Sequence, residues 1–315
     1  MKTRPGSGLL VVIVVLFTGV VMSFAGPFPI PDTGQTECYD ADGNILDPCP
    51  APGDLFYGQD ACYTINPPSY TKLDTSGNEL DDSATDWAMV KDNVTGLIWE
   101  VKTDDGGMHD KDDKYDYDDA TAFIVQLNTD QFGGFTDWRL PTRLELTGLV
   151  DYSQHWPTIN TVFFPYTTYD YYWSSFLYAD SATGAWAVEF LNGYESICNK
   201  TDSYRVRAVR GDQPEVSGHL VINGDDTVSD ENTGLMWMQF TADNNDDDII
   251  DDNDKMNWQE ALDWCEGLTL AGYSDWRLPT IKELQSIVDI QTSEPAIDTN
   301  FFPDTGSNSA YWSST

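Results

Sequence analysis

The chain has 315 residues, with 53 Asp and Glu against 16 Lys and Arg, for a formal charge of -37 at pH 7. So acidic a surface repels phosphate backbones and anionic headgroups, which are held by clustered Lys and Arg, so nucleic acid and anionic membrane surfaces are excluded as partners. Disorder, a common state of acidic chains, is excluded by an aromatic content of 13% that includes 11 Trp.

In chain order, the first element is an export signal. Lys2 and Arg4 precede an apolar run from Leu9 to Met22, and Ser23-Phe24-Ala25 supplies small residues for cleavage before Gly26. The run is shorter than the roughly 20 residues that a membrane span needs. Residues 1–25 are therefore read as a signal peptide, and the mature protein as periplasmic, surface-bound or secreted. No cysteine directly follows the cut, which argues against a lipoprotein anchor.

Residues 26–85 are rich in Pro, Gly, Asp, Asn and Ser and hold Cys38, Cys49 and Cys62. An exported chain uses cysteines in disulfides. Short spacing pairs Cys38 with Cys49, and elimination pairs Cys62 with Cys198, which would staple this loop-rich lead segment to the first of two repeated domains. Cys265 is left over, with a partner expected in strands that the second repeat lacks.

From residue 86 the chain says the same thing twice. Thr95-Gly96-Leu97-Ile98-Trp99 returns as Thr233-Gly234-Leu235-Met236-Trp237, and Asp137-Trp138-Arg139-Leu140-Pro141-Thr142 returns as Asp275-Trp276-Arg277-Leu278-Pro279-Thr280, both 138 positions on. Phe163-Phe164-Pro165 keeps that offset in Phe301-Phe302-Pro303, and Tyr172-Trp173-Ser174-Ser175 returns one residue later as Tyr311-Trp312-Ser313-Ser314. The period is far longer than the roughly 20–50 residues of solenoid repeats, so each copy, 86–212 and 216–315, is expected to have its own core. The second copy lacks counterparts of Gly184–Phe190 and Tyr204–Gly211, which alternate as half-buried strands do, and is read as truncated.

Each copy is expected to contain a strand, an acidic loop, two helices and further strands. The first helix starts at Asp116 or Asn257, with an acidic residue three places on, and buries Ala120, Phe123, Ile124 and Leu127, or Ala261, Trp264, Cys265 and Leu268. The second starts at a capping box, Thr142 with Glu145 or Thr280 with Glu283.

These ordered motifs, Thr-Gly-Leu-x-Trp, Asp-Trp-Arg-Leu-Pro-Thr-x-x-Glu-Leu, Tyr-Trp-Ser-Ser and Val-Arg-x-Val-Arg-Gly, resemble the Lcl C-terminal domain family, a bacterial extracytoplasmic domain named for a collagen-like adhesin. The resemblance covers nearly all of both copies. It implies an α+β fold, two tandem C-type-lectin-like domains, and a role in adhesion or glycan binding. It also implies a cysteine at the position of Ala208 in many members, which suits an unpaired Cys265. This chain has no collagen-like Gly-x-y repeat, and its acidity argues against a sulfated polysaccharide ligand.

Two groups of residues could carry chemistry. Asp243, Asn245, Asp247, Asp251 and Asp254 fall at positions 1, 3, 5, 9 and 12 of an EF-hand-like frame, so Ca²⁺ is the cofactor such a loop would take, although Asp248 stands where the sharp turn wants Gly. The loop Asp104–Asp113 is a second acidic candidate; a solvated loop is the alternative for both. Trp138, Arg139, Trp173, Trp276, Arg277 and Trp312 could form ligand platforms, Trp against sugar faces and Arg against carboxylates; the alternative is a core Trp and an Arg paired with a buried acid.

Catalysis has little support. His109, His155 and His219 occupy unlike positions of the two copies, no Gly-x-Ser-x-Gly surrounds the Ser pair, and there is no phosphate loop or Cys-x-x-Cys. An enzyme on a lectin-like scaffold would want a reactive cysteine pair, and Cys198 and Cys265 lie in different copies. The sequence thus points to an exported, non-enzymatic binding or adhesion module for a glycan or cell-surface protein, with a structural envelope spacer as the alternative.

Overall fold

The computed structural model describes residues 28–213, 219–245, 250, 252–292, 294–306 and 310–315, together with the backbone of 9–10 and 14–16. It divides into two compact units, one of Met1–Pro29, Gln35–Thr64 and Pro214–Thr315, the other of Ile30–Gly34 and Ile65–Gln213. The lead segment is thus shared between the units that contain repeat two and repeat one.

Four short strands come first: β1 (Leu9–Leu10), β2 (Val14–Leu16), β3 (Cys38–Tyr39) and β4 (Ile45–Leu46). The repeat-one unit continues with β5 (Tyr70–Leu73), β6 (Met89–Asp92), β7 (Ile98–Glu100), α1 (Tyr117–Thr129), α2 (Arg143–Gly148), β8 (Tyr171–Leu177), β9 (Gly184–Glu189), β10 (Glu195–Asn199) and β11 (Val209–Arg210). The second part has β12 (Leu220–Ile222), β13 (Thr227–Asp230), β14 (Leu235–Met238), α3 (Trp258–Gly267), β15 (Trp276–Arg277), α4 (Ile281–Ser286) and β16 (Ala310–Tyr311). The architecture is mixed and sheet-rich, with short helices.

In repeat one there are a sheet of order β11-β7-β6-β5 and a meander of order β10-β9-β8, and α1 packs one face against residues of both. The helix begins at Asp116, whose side chain accepts the Asp119 amide, and its buried face is Ala120, Phe123, Ile124 and Leu127. That face joins Met89, Trp138, Trp173, Val206 and Ala208 in one apolar cluster.

The turn between β6 and β7 explains the shared Thr-Gly. Asp92 accepts hydrogen bonds from the Val94 amide and the Thr95 hydroxyl, and Gly96 takes φ 76°. Repeat two copies this: Asp230 accepts the Asn232 amide, and Gly234 also has φ 76°. A left-handed residue there favours Gly because a Cβ would be strained.

The register is copied as well, Val90 opposite Trp99 on β6–β7 and Val228 opposite Trp237 on β13–β14. Both second helices carry a complete capping box, at Thr142 with Glu145 and at Thr280 with Glu283. In each copy the motif Trp donates its indole N–H to the carbonyl six residues before it, Trp138 to Phe132 and Trp276 to Leu270.

Repeat two gathers its own core from Met236, Met238, Ala261, Leu262, Cys265, Trp276 and Leu278. Its sheet runs β12-β13-β14-β2-β15, so β2 lies between the strands that carry the two repeated Trp motifs. Beyond the backbone of β1 and β2, the signal peptide expected at 1–25 lies outside the described residues. Among the described residues no helix is long and apolar enough to cross a membrane.

One expected disulfide forms and the other does not. Cys38 is bonded to Cys49, whereas Cys62, Cys198 and Cys265 are free thiols. The bridge expected between Cys62 and Cys198 fails because elimination assumed that the lead segment belongs wholly to repeat one. Cys62 instead lies in the repeat-two unit, its sulfur 3.8 Å from that of Cys38.

Candidate functional site

Four of the six expected platform residues, Trp138, Trp173, Trp276 and Arg277, are buried, and Arg139 is partly buried. Trp138, Trp173 and Trp276 are at most 3% exposed. Trp173 gives its indole N–H to the Tyr115 carbonyl. Arg139 and Arg277 are spent inside the fold. Arg139 donates two bonds, 2.6 and 2.7 Å, to Glu145, and Arg277 donates two, 2.5 and 2.8 Å, to Glu283. The same carboxylates accept the Thr142 and Thr280 amides. One glutamate therefore closes the helix cap and neutralises the arginine, which accounts for the whole run from Asp-Trp-Arg to Glu without a ligand.

Trp312 is half-buried and lines a cavity of about 500 Å³ in the repeat-two unit, with Tyr39, Trp258, Tyr311, Glu37 and Asp60 on the walls. Both indoles are engaged, Trp258 on the Ser313 carbonyl and Trp312 on the Met256 carbonyl. The floor is the Tyr311–Thr315 edge. Its counterpart in repeat one, β8, carries β9 along that edge.

Of the expected calcium ligands, Asp247 and Asp251 lie outside the described residues. Asp254 is buried and accepts the Asn244 amide at 3.0 Å. In the repeat-one acidic loop the carboxylates turn onto their own backbone. Asp105 accepts the Gly107 amide, and Asp110 accepts those of Gly106 and Asp112. These bonds hold both carboxyls below the usual range.

Repeat one also has a buried charge cluster that periodicity did not reveal. Glu100 is fully buried, with Lys102 Nζ at 2.7 Å and His109 Nδ1 at 2.9 Å on one oxygen and the Ala208 amide at 2.9 Å on the other. Burial pushes its pKa up, but Lys102 and then His109 outweigh that and hold it at about 2. Arg207, also fully buried, donates to the Glu100 carbonyl and the Thr167 hydroxyl. Repeat two has Met238 and Phe240 at the positions of Glu100 and Lys102. The cluster is enclosed, so it serves packing. His219, at an unrelated position of repeat two, lies on Asp230 at 2.7 Å. Burial raises the pKa of all three free thiols, which favours the protonated thiol over the thiolate.

What repeat one does present is a rim of aromatic side chains. Trp156 is 69%, Tyr166 52%, Tyr169 63% and Tyr194 64% exposed. Three loops carry them, tied by backbone bonds to the segment Glu189–Phe190. Thr158 donates its amide and hydroxyl to the Phe190 carbonyl, and the Phe190 amide donates to the Asp170 carbonyl. The neighbouring Glu189 amide donates to the Tyr194 carbonyl. Glu189 itself is half-buried beside the rim, its carboxyl pushed up by burial and then by Asp170.

The rim belongs to repeat one alone. Repeat two has Glu294, Asp304 and Ser307 where repeat one has Trp156, Tyr166 and Tyr169. Trp156 and Glu294 share a left-handed backbone, φ 53° and 55°, so the geometry belongs to the loop and only the ring is peculiar to repeat one. A core position would not accept Glu in one copy and Trp in the other. That contrast is the sequence signal by which the rim could have been found.

Two domains of mixed sheet and short helix, wired by the same Trp, Arg, Thr and Glu, define a duplicated extracytoplasmic module. The chain belongs to the Lcl C-terminal domain family, which matches residues 88–210 and 226–315. No curated protein matches the chain.

Proposed function

We propose that this protein is an exported, non-enzymatic adhesion module whose repeat one recognises a carbohydrate through the aromatic rim at Trp156, Tyr169 and Tyr194. The observation that carries this reading is the set of exposed rings on three loops tied to one segment, Glu189–Phe190. Aromatic side chains combine an apolar face, which stacks on the C–H face of a sugar, with little conformational entropy to lose. Glu189 and the tyrosine hydroxyls supply polar partners for sugar hydroxyls.

A C-type-lectin-like fold for each repeat is part of this reading, supported by the resemblance and by helices packed against antiparallel sheets with function carried on loops. The formal charge of -37 directs the choice of ligand toward neutral or amino sugars and away from sulfated ones. A glycan array probed with the full chain tests this: selective signals on neutral or amino-sugar glycans are expected. Signals confined to sulfated glycans, or silence across the array, would overturn it, and silence would favour the envelope-spacer reading.

Calcium belongs to the same proposal. The oxygen donors of Asp243, Asn245 and Asp254, with Asp247 and Asp251 from sequence, suit a hard cation in an exported setting. Calorimetric titration of the full chain is expected to show heat at millimolar calcium and a rise in melting temperature. No heat and no rise would leave 243–254 as a solvated acidic loop.

A further inference from the structure

The lead segment holds a disulfide and a third cysteine side by side. Cys38 is bonded to Cys49, and the Cys62 sulfur lies 3.8 Å from that of Cys38 and 3.9 Å from the Pro50 carbonyl oxygen. The local fold builds this approach. Cys62 ends a short 3₁₀ turn, Asp60–Cys62, and the residue before that turn, the buried Gln59, ties it to β3. Its side-chain oxygen accepts the Tyr39 amide at 2.8 Å, and its side-chain nitrogen donates to the Tyr39 and Phe56 carbonyls at 3.0 and 2.9 Å.

Strand β3 is fixed from its other side as well. Cys38 pairs with Leu46 and Tyr39 with Ile45, and the Asp40 carboxylate closes the turn between β3 and β4 by accepting the Asp42 and Asn44 amides. These bonds hold Cys38 beside Cys62 without using Cys49. The three sulfurs also differ in setting: Cys38 is fully buried, Cys62 is half-buried, and Cys49 is a half-buried residue on the stretch 47–55, where Asp47, Pro48 and 51–55 are exposed.

We propose that Cys62 exchanges with the Cys38–Cys49 bridge, and that Cys49 is thereby a modifiable thiol on the surface of the lead segment. The Cys62 thiolate attacks the Cys38 sulfur. The Cys62–Cys38 bond forms, the Cys38–Cys49 bond breaks, and Cys49 leaves as a thiolate that takes up the proton Cys62 released. One thiol and one disulfide stand on each side of the step, so no oxidant or reductant is consumed. Cys49 lies 11 residues from Cys38 and Cys62 lies 24, and loop-closure entropy grows too slowly with length to forbid either bridge. Burial favours the Cys62 thiol over its thiolate, which sets the exchange on a scale of roughly minutes to hours. The step lies within the lead segment and is independent of the carbohydrate reading.

The test uses the full chain, purified without reductant, held at mildly alkaline pH with no added thiol or oxidant, then labelled briefly with a maleimide and mapped as unreduced peptides by mass spectrometry. Two species are expected, a Cys38–Cys49 bridge with label on Cys62 and a Cys38–Cys62 bridge with label on Cys49, in a ratio that does not change with protein concentration. Cys49→Ser should form the Cys38–Cys62 bridge, and Cys62→Ser should lower labelling at Cys49 at least tenfold. A chain that keeps the Cys38–Cys49 bridge alone through a day of incubation, or labelling at Cys49 that persists in Cys62→Ser, would overturn the proposal. The unaltered chain gives the first of these answers even if a variant fails to fold.

Discussion

Replacing Glu100 by Met alone should destabilise repeat one by about 3–5 kcal/mol, whereas adding Lys102→Met should recover most of that loss. The single change leaves the buried ammonium of Lys102, 4% exposed, without its counter-ion, together with the fully buried guanidinium of Arg207. The double change removes the ammonium as well as the carboxylate, and repeat two carries the apolar residues Met238 and Phe240 at these two positions. The cost is large on the scale of a domain worth about 5–15 kcal/mol in all. Chemical denaturation of the three proteins checks it.

Acid should report the same group. The folded pKa of Glu100 is held at about 2, below the carboxylate's ordinary value near 4.5. The charged form therefore contributes stability that is fully present above the ordinary value and is lost as pH falls toward 2. Wild-type repeat one should weaken across that window, and the double variant should show a flatter acid limb.

Glu283→Gln should cost about 3–5 kcal/mol in repeat two, far more than Thr280→Ala at about 1 kcal/mol. Arg277 has 3% side-chain exposure and both of its carboxylate bonds end on Glu283, so the neutral amide leaves a buried cation without its hydrogen-bonded counter-ion. The Thr change removes only the hydroxyl that accepts the Glu283 amide. Glu145→Gln should be milder, because Arg139 is 22% exposed and water can screen it. Thermal melts of the three variants would show the order; equal costs for Glu283→Gln and Thr280→Ala would refute the double role of this carboxylate.

The duplication and the helix starts were legible because caps and apolar spacing are local. Thr142 and Thr280 cap whatever the rest of the chain does, and Asp92-Thr95-Gly96 closes its turn within five residues. Pairings set by the tertiary fold were not legible. Cys62 could be assigned only by elimination, and nothing local shows that 35–64 joins repeat two while 65–85 joins repeat one. The platform residues misled for a related reason: a repeated Trp-Arg pair reads alike as a binding face or as a wired core, and only the bond from Arg to the capping Glu separates the two. The aromatic rim left no periodic trace, since Trp156, Tyr169 and Tyr194 lie on irregular loops. It shows only in the comparison of one copy with the other.

The most direct measurement of the carbohydrate claim is the affinity of the full chain for its strongest array glycan, compared with Trp156→Ala and Tyr194→Ala. Both side chains are more than 60% exposed, so near-ultraviolet circular dichroism and melting temperature should be almost unchanged, while each substitution should weaken binding at least tenfold. Unchanged affinity in both variants, with the fold intact, would contradict a ligand site at the rim.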